Sequence, residues 1–79
     1  MSVEESVKEI VTRIVRKPDT DFNADTTFKG LEADSLDIVQ IMVALEDKYD
    51  IEIADEDLQD VKNMGDFIKY IEDKVNSNS

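Results

Sequence analysis

Residues 33–47 carry apolar side chains on two sides of one helix, and few folds can accommodate that. At about 100° per residue, Ile38, Ile41, Met42 and Leu45, with Tyr49 just beyond, fall on one face. That is an ordinary core stripe. Leu36, Val39 and Val43 project to roughly the opposite side, flanked by Gln40, Glu46, Asp47 and Asp50. Either another helix covers this second stripe or a partner does. An apolar strip rimmed by acids marks a contact surface, and the chain has few other elements with which to cover it.

Those other elements follow from periodicity and caps. Ser2 and Glu5 have the Ser-x-x-Glu spacing of a capping box, and Val3, Val7, Ile10, Val11, Ile14 and Val15 repeat at helical spacing. Arg13, Arg16 and Lys17 suit the negative end of that helix, and Pro18 closes it at about residue 16. Residues 18–33 read as a long loop over one end of a helical bundle, pinned by Phe22, Phe28 and Leu31, with a turn at Gly30.

The second helix starts at Asp34 or Ser35, with Asp34 a good cap and Asp37 favouring the positive end. Ile51 and Ile53 point inwards from an extended link. Asp55 caps a short helix that runs through about Val61, with Leu58 and Val61 facing the core. Asn63 caps the last helix, whose stripe is Met64, Phe67, Ile68, Ile71 and Val75. The reading is all-α: three longer helices, a short third one, and a long loop between the first two. Residues 1–75 form one domain, and residues 76–79, without an apolar side chain, form a fraying tail.

Composition excludes much. With 79 residues there is room for one small domain. The absence of cysteine removes disulfides, thiolate metal sites and cysteine nucleophiles, and the absence of histidine removes the commonest general base and metal ligand. No apolar run approaches the ~20 residues of a membrane span and no signal-peptide pattern begins the chain, so a cytoplasmic protein without stable membrane insertion is expected. Asp55, Glu56, Asp57 and Asp60 come closest to a metal cluster, yet lack the spacing, glycine and closing glutamate of a calcium loop.

Charge is concentrated. Between residues 32 and 60, eleven carboxylates face Lys48 alone, which places −10 of the net −11 there. Such a field repels nucleic acid and attracts proteins with basic patches.

Ser35 has two readings. It is a helix cap, or its hydroxyl lies open at the positive helix end, where a phosphate ester is stabilised by free backbone N–H groups. Catalysis by Ser35 itself is a poor explanation: no histidine is present to deprotonate it, no Gly-x-Ser-x-Gly elbow surrounds it, and Lys48 lies more than three turns away. Any covalent chemistry at Ser35 is done by another enzyme.

The run Ala33-Asp34-Ser35-Leu36-Asp37, then Met42-Val43-Ala44-Leu45-Glu46-Asp47 and Ile51-Glu52-Ile53, resembles acyl carrier proteins of the bacterial fatty-acid type, over nearly the whole chain. The resemblance implies a four-helix bundle in which Ser35 bears 4′-phosphopantetheine from coenzyme A, framed by Asp34 and Leu36. It implies a docking face of Asp37, Val39, Gln40, Val43, Glu46 and Asp47. The expected partners are a phosphopantetheinyl transferase and acyl-transferring and condensing enzymes with basic patches, met by a monomer. Phe28, Leu45, Ile53 and Val61 are the implied lining of an acyl pocket, and equally ordinary core residues. The sequence departs from the usual pattern at Glu32 and Asp50, where glycines are common, at Gln40, where glutamate is frequent, and at Ala54, where proline is common. Two alternatives stand beside the fatty-acid carrier: a carrier of aminoacyl or polyketide cargo, and an unmodified acidic interaction module.

Overall fold

The Ser2 hydroxyl accepts a hydrogen bond from the Glu5 N–H at 3.1 Å and starts α1, Val3–Val15. This is a computed structural model that describes residues 2–77. Val7, Ile10 and Val11 of the expected stripe are buried, and Val3, Ile14 and Val15 pack against the same core. The helix ends one residue before the boundary read from Pro18. Arg16 turns into the left-handed region (φ 60°), and the Arg16 and Lys17 N–H groups both donate to the Thr12 carbonyl. Of the three cations assigned to the last turn, only Arg13 lies in it.

The loop that follows is more structured than its composition suggests. Residues Asp19–Asp21 form a 3-10 turn, and Phe22 and Leu31 are buried as pins. Phe28 is half-buried and meets Phe67 edge-on, with ring centroids 5.3 Å apart. Two loop carbonyls close the start of the last helix: Met64 N–H donates to Thr26 O at 2.7 Å and Gly65 N–H to Ala24 O at 3.0 Å. A side chain at Gly65 would meet Ala24 at 3.3 Å, so glycine permits this close approach. The turn expected at Gly30 is made differently. Gly30 has no positive φ, and the left-handed residue is Glu32 (φ 59°), in the place of a common family glycine.

α2 spans Ser35–Tyr49 and ends at Asp50, again left-handed (φ 54°) without glycine. Ile41, Met42 and Leu45 are buried and Ile38 and Tyr49 pack at the core edge. Ile51 and Ile53 turn inwards from the link, as expected. The short third helix is a 3-10 helix, Asp55–Asp60. Ala54 occupies its cap position with no side-chain hydrogen bond, so Asp55 does not cap it; six residues allow too few bonds to favour an α-helix. Tyr70 Oη donates to Asp57 Oδ2 at 2.8 Å and ties this segment to the last helix.

α3 spans Met64–Ser77, with Asn63 Oδ1 accepting from Asp66 N–H at 2.9 Å as the expected cap. Met64, Phe67 and Ile71 are fully buried. The helix takes in the first two residues of the expected tail, while Asn78 and Ser79 lie outside the described residues. α1 packs on both α2 and α3, and the result is an all-α, four-helix domain in which α2 keeps one side in solvent.

Candidate functional site

The start of α2 bears on one of the two readings of Ser35, that of a helix cap. Asp34 is the cap: its Oδ1 accepts from the Asp37 N–H at 2.8 Å, and Asp37 Oδ2 accepts from the Asp34 N–H at 3.4 Å. Ser35 is therefore the first helical residue. It is exposed, and its hydroxyl makes no hydrogen bond among the described residues. At this position backbone N–H groups precede the first intrahelical bond and the helix end is partially positive.

Upstream, Glu32 reaches back to Lys17, with Nζ 3.3 Å from Oε1. This pair fastens the end of α1 to the approach to Ser35. Lys17 was legible only as a helix-end cation, because its partner depends on the left-handed turn at Glu32.

Downstream, the second stripe is open to solvent. Leu36 is 65% exposed, Val39 49% and Val43 55%, and these are the exposed large hydrophobic residues of the described chain. No helix covers them. Gln40 and Asp47 are exposed beside them. Glu46 is partly committed elsewhere: its Oε2 accepts from the Ile53 N–H at 3.0 Å, which holds the link against α2.

Leu45 and Ile53 are buried in the core, and Phe28 and Val61 pack at its margin. One titrating group is displaced. Burial, and then its hydrogen bond to Asp57, push the Tyr70 phenol up to about 12. No group of acids able to hold a metal ion occurs among the described residues, and no described helix is long and apolar enough to cross a membrane.

The start of α2 thus joins an exposed, unengaged serine to an open apolar strip in a small helical domain. Comparison with known proteins gives the family. The family model described as "Phosphopantetheine attachment site" matches residues 5–71. An acyl carrier protein of Chlamydia trachomatis is 36% identical over 77 residues, covering 96% of this chain and 100% of that one. One from Helicobacter acinonychis is 39% identical over 74 residues, covering 92% and 95%. The solution structure of a holo acyl carrier protein from Geobacter metallireducens superposes with a TM-score of 0.83 at 25% identity, covering 99% of this chain and 91% of that one.

The chain belongs to the acyl carrier protein family, whose members carry acyl chains on a covalently attached 4′-phosphopantetheine. The residues present fit that group: an exposed, unengaged hydroxyl at the start of α2 has room for a phosphodiester and unsatisfied N–H groups beside it.

Proposed function

We propose that Ser35 carries the phosphopantetheine arm and that the domain, without catalysis of its own, presents acyl thioesters to enzymes of fatty-acid or related lipid and secondary-metabolite synthesis. The observation that carries this reading is the division of labour at the helix start. Asp34 and Asp37 do the capping, which leaves the Ser35 hydroxyl unengaged. The arm supplies a thiol to a chain that has no cysteine. The leading N–H groups of α2 favour the charge of a phosphodiester, and Asp34 and Leu36 flank it.

Leu36, Val39 and Val43 form the apolar centre of the docking face, with Asp37, Gln40 and Asp47 around it and Glu46 contributing what its bond to Ile53 leaves free. A basic patch on a transferase, or on an acyl-transferring or condensing enzyme, is steered to this face. Charge-steered encounters are fast without being tight, as a carrier serving successive enzymes requires. The carrier works as a cytoplasmic monomer. A cargo chain that enters the bundle packs against Leu45, Ile53, Phe28 and Val61.

Intact-mass measurement after incubation with coenzyme A and a phosphopantetheinyl transferase tests the reading. The wild type gains the mass of one arm and Ser35→Ala gains none. A wild type unchanged by a range of such transferases is instead an unmodified acidic interaction module.

A further inference from the structure

Three acids lie within three residues of Ser35, namely Glu32, Asp34 and Asp37, and no cation lies among them. Such surroundings disfavour a group that carries phosphate charge unless each carboxylate is offset. Two are offset locally: Asp34 accepts from the Asp37 N–H at 2.8 Å, and Asp37 from the Asp34 N–H at 3.4 Å. The third is offset from another element. Lys17, 15 residues back and just past the end of α1, places Nζ 3.3 Å from Glu32 Oε1.

The backbone leaves little freedom to move the Glu32 carboxylate away. Leu31 N–H donates to Thr27 O, Glu32 N–H to Lys29 O and Ala33 N–H to Phe28 O, each at 3.0 Å. These bonds fix Glu32 in the left-handed position that closes a helical turn, where glycine is usual. Glycine would bring no charge. Glutamate brings one on a residue whose Cα is no more than about 11 Å from that of Ser35, the reach of three extended residues. Salt screens repulsion over that length only in part, since the Debye length is about 8 Å at physiological ionic strength.

We propose that Lys17 is a positioning residue for the modification of Ser35, acting through Glu32. It holds and neutralises the one neighbouring carboxylate that no backbone amide engages, so that the phosphate arriving from coenzyme A meets an offset field. The inference rests on the reading of Ser35 given above. Two other accounts of the pair behave differently. A structural clamp between α1 and the loop is lost equally whichever partner is removed. Steering by acidity alone gains from the loss of a lysine and suffers from the loss of a glutamate. The proposed role reverses those signs: loss of Lys17 bares the carboxylate, and loss of Glu32 removes the need to offset it.

The test uses the full chain, coenzyme A and a purified phosphopantetheinyl transferase, with rates followed by intact mass. Lys17→Ala lowers kcat/KM for the carrier about two- to four-fold at low salt, and the deficit shrinks as salt is added. Lys17→Arg retains the charge and the rate. Glu32→Gln does not lower kcat/KM, and combined with Lys17→Ala it restores the wild-type value. Lys69→Ala, which removes the same charge from α3, lowers nothing. A second readout is independent of turnover: once loaded, Lys17→Ala melts further below the wild type than the two unloaded proteins differ, by about 3 °C. A wild type that gains no mass overturns the Ser35 reading and this one with it. A wild type that gains mass, with Lys17→Ala and Glu32→Gln impaired alike, makes the pair a clamp and overturns the proposed role alone. Lys17→Ala loading as fast as the wild type, or faster, overturns it too.

Discussion

Asp34 and Asp37 hold each other's backbone across the first turn of α2, one carboxylate oxygen 2.8 Å from the Asp37 nitrogen and the other 3.4 Å from the Asp34 nitrogen. Ser35 stands between them and takes no part. Asp34→Ala should therefore cost about 1 kcal/mol of stability, a usual value for a lost cap, whereas Ser35→Ala should stay within about 0.5 kcal/mol. Urea unfolding of the two variants separates them; equal losses would return the capping role to Ser35.

Glu32 sits at φ 59° and its side chain pairs with Lys17. Substituting either alanine or glycine removes the ion pair, but only glycine removes the clash of a Cβ in the left-handed region. Glu32→Gly should be more stable than Glu32→Ala by about 1 kcal/mol. Thermal melts of both variants measure the difference directly.

Tyr70 is held in its neutral form, its phenol pushed up to about 12 from 10.0. A group with a raised folded value contributes stability that is fully present below pH 10 and is lost as pH rises through 12. The wild type should lose stability across that window relative to Tyr70→Phe, which has no phenol to ionise. Parallel stability–pH curves for the two proteins would contradict the role assigned to the bond with Asp57.

Twenty carboxylates face nine basic side chains, and two ion pairs are formed among the described residues. Self-repulsion follows. Added salt, or millimolar magnesium, should raise the melting temperature by about 5 °C, equivalent to about 1 kcal/mol in a domain of this size. A melting temperature indifferent to ions would mean that the acids are too dispersed to repel.

Val39 and Val43 are 49% and 55% exposed. Changing both to serine should leave stability within about 1 kcal/mol and raise the KM for the transferase, with kcat retained. A stability loss as large as that of a core truncation would mean that the stripe is packed in solution.

Most of this was legible wherever local chemistry decides. Ile41 and Leu45 against Val39 and Val43 is a question of helical angle alone, and the two stripes lie where the angle places them. Asn63 caps α3 because a short polar side chain at that spacing has one good use. Position 35 was ambiguous for the same reason: Asp34 and Ser35 are both good caps one residue apart, and only the folded helix shows which side chain closes the turn. Other features depend on distant partners that periodicity does not contain. Nothing local joins Thr26 to Met64, Lys17 to Glu32, or Glu46 to the Ile53 nitrogen. The 3-10 form of Asp55–Asp60 escaped because an acid-rich start suggests an α-helix whatever its length. Gly30 drew attention from Glu32 because left-handed geometry is ordinarily a glycine property, and here three other residues adopt it.

The four serines of the described residues stand in four different situations. Ser2 is exposed but engaged as the cap of α1, Ser6 is buried in α1, and Ser77 lies at the carbonyl end of α3. Ser35 alone joins an exposed hydroxyl free of hydrogen bonds to the amide end of a helix. The fold thus filters by exclusion: among these serines, a modifying enzyme that sensed only an unengaged hydroxyl at a helix's amide end would single out one, before any recognition of neighbouring side chains began.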